Sequence, residues 1–151
     1  MNNNKIIFLD IDGVLNTPEN WGNWVNEELK AFTPECVANL NQLIANTGAQ
    51  LVISSTWRID RTVEQLQTLL NAVGVQGTVI GKTPCFADIH PRGVEIKSWI
   101  QQNCEGWPNY VILDDNSDME DLLGALIQCD CRLGLTEFDV VCAECILKEA
   151  K

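Results

Sequence analysis

The chain has 151 residues, of which 46% are hydrophobic and 21% charged, so it suits one globular domain with a buried core and not a disordered, collagen-like or coiled-coil protein. Ten basic and twenty-one acidic residues give a net charge of −11, which argues against a general nucleic-acid-coating role but still allows a local pocket for one phosphate. No stretch approaches the roughly 20 apolar residues of a membrane span, and the apolar run at 6–9 is too short for a signal-peptide core. We therefore expect a cytoplasmic protein with no membrane-spanning segment.

Apolar runs alternate with helical patterns along the chain. Short continuous runs predict strands buried on both faces of a parallel sheet at 5–9, 51–53, 77–81 and 110–113, with a weaker fifth strand near 131–133. Apolar residues at helical spacing predict helices at about 34–47, 60–73, 93–103, 122–127 and 136–149. This alternation predicts a single α/β domain over residues 1–151, with a Rossmann-like parallel sheet of about five strands and helices on both faces.

Residues 16–32 are the one long stretch without a strand or helix pattern. About 17 residues are too few to form a domain, but they are enough for a small flap over a site. The sequence therefore predicts a possible small flap between the first strand and the first helix.

The chain has seven cysteines, an odd number. In a reducing compartment they are better interpreted as small buried apolar residues than as a disulfide framework. Two close pairs, Cys129 with Cys131 and Cys142 with Cys145, leave a structural zinc site open as an alternative. Against zinc, the second pair lies on a predicted helix among apolar residues, and only one residue separates the members of the first pair.

Polar side chains follow three of the predicted strands, at the point where each strand ends. They are Asp10 and Asp12 after the first strand, Ser54 and Ser55 after the second, and Asp114 and Asp115 after the fourth. Ligands bind at the carboxyl ends of the strands in open parallel sheets. We therefore expect these side chains to form one site.

Several carboxylates at one edge repel one another, by roughly 4 kcal/mol for a pair about 4 Å apart at an effective dielectric of about 20. A bound dication removes this repulsion, and Mg²⁺ suits oxygen ligands. Asp10 can then attack a phosphoryl group to form a covalent aspartyl-phosphate, while Asp12 protonates the leaving oxygen and later activates water. The Ser54 hydroxyl and a cation such as Arg92 would hold the remaining phosphate oxygens.

Four segments resemble, in order, the four motifs of the haloacid-dehalogenase-like (HAD) superfamily of phosphohydrolases. They are Asp10-Ile-Asp12-Gly-Val14, Ser54 after a buried strand, Arg92 at the start of a later helix, and Asp114-Asp115. The resemblance spans residues 5–118, about three-quarters of the chain.

The resemblance implies a role for each of these residues. Asp10 would be the nucleophile and a magnesium ligand, and Asp12 would be the general acid/base and offer its backbone carbonyl to the metal. Ser54 would bind a phosphoryl oxygen, and Arg92 would stabilise the aspartyl-phosphate. Asp114 would complete the metal shell. The supporting acid would be Asp115 or Asp118.

The cation of the third motif is a lysine in many members of the superfamily. Lys82 and Lys97 therefore compete with Arg92, which we favour because it lies at a helix start. Ser55, Arg58 and Lys82 are the candidate substrate contacts. For Arg58, a salt bridge on the surface is an equal alternative.

Further segments resemble one small HAD branch that includes domains of RNA-repair proteins and is similar to the phosphatase half of polynucleotide kinase-phosphatases. They are Ile53-Ser-Ser-Thr-Trp-Arg58, Gly81-Lys-Thr-Pro84, the helix that starts at Arg92, and Ile112-Leu-Asp-Asp-Asn-Ser-Asp-Met119. No insertion is long enough for a full cap domain, and nearly capless members resemble enzymes that act on exposed phosphates.

We therefore predict a magnesium-dependent phosphomonoester hydrolase that works through Asp10. The substrate would be a nucleotide, a phosphate-ended nucleic acid or a small phosphorylated metabolite, and the sequence leaves the oligomeric state open. The alternative is a non-catalytic, regulatory relative that binds phosphate and metal without turnover.

Overall fold

The computed structural model describes residues 4–19, 31–86 and 91–149 of the chain. Within these ranges five parallel strands form one sheet in the order β3-β2-β1-β4-β5. The strands are β1 (Lys5–Leu9), β2 (Gln50–Ile53), β3 (Val79–Lys82), β4 (Asn109–Asp114) and β5 (Leu126–Gln128). The order 3-2-1-4-5 is that of a Rossmann-like sheet, as predicted, and differs from the 2-1-3-4-5 order of flavodoxin-like folds.

Four α-helices cover the two faces of the sheet. They are α1 (Pro34–Thr47), α2 (Val63–Ala72), α3 (Arg92–Asn103) and α4 (Glu137–Glu149), and two short 3₁₀ segments lie at Thr56–Arg58 and Glu120–Ala125. Successive side chains of a strand point to opposite faces. Ile7 and Leu9 of β1 accordingly lie in the core that contains α1, α2 and α4 residues, whereas Ile6 and Phe8 pack with α3.

The fourth predicted helix and the fifth predicted strand are wrong. Residues 120–125 are a 3₁₀ segment, and 126–128 are strand β5, which pairs with residues 112–114 of β4. A short apolar run does not distinguish a buried strand from a buried helix. Residues 131–133, predicted as a strand, lie in a turn that is closed by backbone N–H groups of Leu133 and Gly134 donating to Asp130 O.

Helix α2 begins three residues after its predicted start. Asp60 has φ +62°, a left-handed conformation that interrupts a helix. Thr62 then forms a capping box with Gln65, in which each side chain bonds to the other residue's backbone N–H. The local hydrogen bonds at the cap, rather than apolar spacing, set this boundary.

The predicted flap over residues 16–32 lies largely outside the described residues, which omit 20–30. On its far side Ala31 and Phe32 are buried, and the backbone N–H of Thr33 donates to Leu15 O. The described ranges contain no cap domain, in agreement with the prediction. They also contain no helix that is long and apolar enough to cross a membrane.

All seven cysteines are described, and all are free thiols. Only Cys36 and Cys129 are buried; Cys85 and Cys145 are exposed, so the prediction of small core residues is correct for only part of the set. Burial raises the pKa of the Cys129 thiol, which opposes the thiolate that zinc requires. Among the described residues, the cysteines form no cluster that could hold a metal.

Candidate active site

The strand order reverses beside β1, which lies between β2 and β4. A crevice at the carboxyl ends of the strands forms at such a point. Asp10 follows β1 and donates its backbone N–H to Leu113 O, 3.0 Å away, while Asp114 ends β4. Both carboxylates are buried, with 5% of Asp10 and 0% of Asp114 exposed. The two predicted acids thus meet because neighbouring strands end side by side.

Asp10, Asp114 and Asp115 form the one group of metal-ligand side chains found in the described part of the chain. One carboxylate oxygen from each lies within 4.8 Å of the others. The Arg92 Nη1 atom lies 3.2 Å from Asp10 Oδ2 and 2.6 Å from Asp114 Oδ2. The cluster therefore has three acids and one cation, which contacts Asp10 and Asp114, so an excess of negative charge remains when all three acids are ionised.

Burial and mutual repulsion make the ionised acids costly. Burial raises the pKa of Asp10 well above its usual range, and the neighbouring Asp114 carboxylate raises it further, while Arg92 opposes both effects. Burial also raises the pKa of Asp114 against the opposing Arg92 charge. Burial alone would lower the pKa of Arg92, but the Asp10 and Asp114 charges outweigh it and raise the pKa of the guanidinium.

Arg92 is the first residue of α3, and residues beyond β4 fix its position. The Arg92 backbone N–H donates to Asp118 Oδ2 at 3.2 Å, and the N–H of Gly93 donates to Asp118 O at 3.0 Å. A Cβ at Gly93 would overlap the backbone of Met119, so only glycine permits this approach. Asp118, predicted as a possible supporting acid, thus caps the helix that carries Arg92.

Gly13 lets the loop after β1 pass close to the third acid. Its φ is +83°, and a Cβ there would lie 2.5 Å from Asp115 Oδ2. Glycine is therefore required both by the backbone conformation and by the space.

Asp12 is not a member of the acid cluster, and it is exposed. Its Oδ1 atom accepts hydrogen bonds from Asn16 Nδ2 at 2.9 Å and from Trp57 Nε1 at 3.1 Å. Asn16 is itself fixed, because its Oδ1 accepts from the Gly13 N–H at 2.9 Å. The carboxylate predicted as general acid/base is thus held by two neutral donors from different segments.

Ser54 follows β2 and donates its backbone N–H to Leu9 O at 3.0 Å. Its side chain is fully buried, and its hydroxyl has no hydrogen-bond partner among the described residues. A buried hydroxyl without a partner is costly, so this atom is suited to a ligand oxygen. Ser55, predicted to contact substrate, instead accepts from Trp57 N at 3.2 Å and caps the 3₁₀ segment.

Arg58 is buried rather than on the surface, and its hydrogen bonds do not support the predicted contact with substrate. Its Nε donates to Thr83 O, its Nη1 to the carbonyls of Ser54 and Ser55, and its Nη2 to Pro84 O and Glu95 Oε1. A guanidinium has five N–H donors, and protein oxygens accept all of them here. Glu95 is also satisfied, because its Oε2 accepts from Phe86 N.

The structure separates the three candidate cations of the third motif. Lys82 Nζ donates to the carbonyls of Arg58 and Arg61, and Lys97 pairs with the exposed Asp121 at 2.6 Å. Only Arg92 of the three reaches the acid cluster. The contact of Lys82 with substrate is likewise not supported, since its ammonium group serves two backbone carbonyls.

The sheet has the order 3-2-1-4-5, with acids at the ends of β1 and β4 and a guanidinium between them. This arrangement matches the Rossmann-like phosphohydrolase domain that the motifs predict. A family model, described as the HAD domain in Swiss Army Knife RNA repair proteins, matches residues 6–140. The chain therefore belongs to this family of HAD domains, and membership points to a phosphohydrolase. No curated protein sequence matches the chain.

Sequence reasoning missed three residues that shape the site, namely Asn16, Trp57 and Glu95. The ring of Trp57 packs edge-on against Phe32, with 5.3 Å between the ring centroids. No local pattern signals that its indole N–H reaches Asp12, 45 residues away in sequence. Asn16 lies only four residues after Asp12, so its hydrogen bond to Asp12 was easier to predict from the sequence.

Proposed function

We propose that this protein is a magnesium-dependent phosphomonoester hydrolase that works through a covalent aspartyl-phosphate on Asp10. The observation that carries the proposal is the cluster of Asp10, Asp114 and Asp115 around Arg92, beside the partnerless hydroxyl of Ser54. A buried cluster with excess negative charge is destabilising unless it binds a cation. Binding of a cation would therefore explain a cluster that does not stabilise the fold by itself.

The residues present fit Mg²⁺. The three side chains offer only carboxylate oxygens, which are hard ligands, and they lie at the end of a strand pair that holds them rigidly. If all three are ionised, 3 − 1 = 2 negative charges remain after Arg92 is counted. When bound, Mg²⁺ would neutralise these charges and polarise a phosphoryl oxygen.

The chain's own residues would perform two steps. In the first, an Asp10 carboxylate oxygen bonds to phosphorus, the bond from phosphorus to the ester oxygen breaks, and Asp12 gives its proton to that leaving oxygen. In the second, water attacks the phosphorus and gives a proton to Asp12, while the bond from Asp10 to phosphorus breaks and inorganic phosphate leaves. Asp10 is then a carboxylate again, and Asp12 again carries its proton. Ser54 and Arg92 would bind phosphoryl oxygens throughout.

We propose exposed phosphate ends as the substrate class, either of nucleotides or nucleic acids or of small metabolites. The described residues include no cap that would enclose a small molecule, and the name of the matched family refers to RNA repair. The net charge of −11 disfavours extensive contact with a polyanion, so recognition would centre on the terminal phosphate.

The test is hydrolysis of p-nitrophenyl phosphate with Mg²⁺, followed by a panel of phosphorylated metabolites, nucleotides and phosphate-ended oligonucleotides. Asp10→Asn and added chelator should each abolish turnover, whereas Asp130→Asn, which changes an exposed acid paired with Arg132, should leave it unchanged. Rapid quenching should trap a phosphoryl-enzyme in the wild type. Activity that survives Asp10→Asn would exclude the mechanism, and binding of Mg²⁺ without turnover of any ester would favour the non-catalytic alternative.

A further inference from the structure

Two donors meet on one oxygen of Asp12. Asn16 Nδ2 and Trp57 Nε1 both donate to Oδ1, at 2.9 and 3.1 Å, and no described residue is shown to bond to Oδ2. A carboxylate oxygen has two lone-pair directions, so these bonds fill the capacity of Oδ1. The proton of a neutral Asp12 would then reside on Oδ2.

The two donors are more deeply buried than the exposed carboxylate that they hold. Asn16 is 1% exposed and its other amide atom, Oδ1, accepts from Gly13 N. Trp57 is 7% exposed, packs against Phe32 and has the Arg61 guanidinium 5.3 Å above its ring. A side chain held at fixed atoms loses the rotamer freedom that an exposed aspartate otherwise has.

Trp57 is also connected to the phosphate-binding segment. Its backbone N–H is capped by Ser55 Oγ, and Arg58 Nη1 bonds to the carbonyls of Ser54 and Ser55. The position of the indole is therefore set by the same short segment that places the Ser54 hydroxyl. A shift of this segment would move the general acid and the phosphoryl contact together.

We propose that Trp57 and Asn16 are positioning residues that hold Asp12 by Oδ1 and thereby direct Oδ2 toward the leaving-group oxygen. This inference rests on the proposed function and assigns to the two residues a role in one half of the reaction. While the Asp10–phosphorus bond forms and the ester bond breaks, the electron pair goes to the leaving oxygen and the proton on Oδ2 follows it. The donors on Oδ1 then stabilise the carboxylate that remains.

The experiment compares two esters that differ in their need for a proton. p-Nitrophenolate leaves readily without protonation, whereas phenolate is a poorer leaving group and depends more on a general acid. Trp57→Phe keeps the ring and removes only the N–H. We expect it to lower kcat/KM for phenyl phosphate about 10-fold more than for p-nitrophenyl phosphate, because proton transfer from a positioned acid contributes roughly 10²–10⁴-fold and one of two anchors is lost.

Two further variants make the comparison specific. Trp99→Phe is the matched control, because Trp99 is also 7% exposed but packs on Phe8 on the opposite face of the sheet. Trp99→Phe should leave the ratio of kcat/KM between the two esters unchanged. Asn16→Asp keeps an oxygen for the Gly13 N–H and removes the donor to Asp12, so it should change the ratio in the same direction as Trp57→Phe, even where Trp57→Phe folds poorly.

The outcomes separate this inference from the proposed function. The proposed function stands if the wild type hydrolyses both esters and Asp10→Asn abolishes this activity. The positioning role is then wrong if Trp57→Phe and Asn16→Asp lower kcat/KM equally for both esters or leave it unchanged. If Asp10→Asn retains activity, or the wild type hydrolyses neither ester, the proposed function fails and this inference fails with it. A selective loss for phenyl phosphate in both variants supports the positioning role.

Discussion

Two groups of charged residues meet at helix α3, through Glu95 in one and Arg92 in the other, and they differ in their balance of charge. Arg58 and Glu95 form a pair with one charge of each sign, in which all five guanidinium donors and both carboxylate oxygens have protein partners. The cluster of Asp10, Asp114 and Asp115 has three acids, one cation and a neighbouring hydroxyl without a partner. Protein atoms satisfy every charged atom of the first group. The second group has unbalanced negative charge and an unpaired hydroxyl, which a ligand from outside the chain would satisfy.

The comparison shows why burial alone does not identify a functional residue. Arg58 is more buried than Arg92, and sequence reasoning assigned both to the site. What separates them is whether the protein itself satisfies the charge. A structural ion pair should be destabilised by substitution, whereas a functional cluster should become more stable when one of its acids is neutralised.

The largest expected effect on stability comes from breaking the balanced pair. Arg58→Met should lower the free energy of unfolding by about 3–5 kcal/mol, because it leaves the buried Glu95 carboxylate and four carbonyls with fewer partners. Urea denaturation measures the change. Arg132→Met, which removes an exposed ion pair with Asp130, should cost far less. An equal cost for both variants would contradict the structural role of Arg58.

The next effect concerns the close approach of the loop after β1 to the acid cluster. Gly13→Ala should cost about 1–2 kcal/mol from its positive φ, and more from the contact with Asp115. Gly48→Ala is the matched control, since Gly48 has φ +71° and nothing within 4 Å of an added Cβ. Only Gly13→Ala should also weaken stabilisation by Mg²⁺ in thermal unfolding. If the two variants lose the same stability and are stabilised equally by Mg²⁺, the close contact between Gly13 and Asp115 has no effect on the site.

A smaller effect of opposite sign is expected from neutralising Asp10, the proposed nucleophile. Asp10→Asn should raise the metal-free free energy of unfolding by about 1 kcal/mol, because it removes a buried charge from a site with excess acid. The same variant should lose most of the increase in Tm that Mg²⁺ produces in the wild type. Destabilisation of the metal-free protein would mean that the Arg92 contact outweighs the repulsion.

The smallest expected effect is a pH dependence of the difference in stability between the metal-free wild type and Asp10→Asn. The folded pKa of Asp10 is raised by burial, so its contribution to stability is greatest below the usual aspartate range and is lost as pH rises through the folded pKa. The metal-free wild type should therefore fall further behind Asp10→Asn at pH 7 than at pH 4. Thermal unfolding of both proteins over this range measures it, and a constant difference would contradict the raised pKa.

The parts of the molecule that follow from local pattern were predictable from sequence. Continuous apolar runs identified β1, β2 and β4, and the acids directly after β1 and β4 had to meet because those strands are neighbours in a parallel sheet. Leu126 and Ile127 were assigned to a helix because so short a run has no period of its own, and pairing with β4 decides its conformation. Local pattern fails where tertiary contacts set the outcome.

The same distinction applies to the site. Asp10, Ser54, Arg92 and Asp114 could be predicted to lie at one edge of the sheet because each stands at a strand end or a helix start. The burial of Arg58 was not, since it depends on carbonyls from residues 83 and 84 and on Glu95 of another helix. The bond from Trp57 to Asp12 joins the 3₁₀ segment at Thr56–Arg58 to the loop after β1, and no sequence spacing relates the two.

The indole of Trp57 has one further consequence. Its N–H bonds directly to the carboxylate that would gain and lose a proton during turnover, and indole emission responds to nearby charge and hydrogen bonding. We therefore expect Trp57 to act as a built-in fluorescent probe of the site. The difference in emission between the wild type and Trp57→Phe should change when phosphate analogues or Mg²⁺ bind, so occupancy can be followed without a label or a chromogenic substrate.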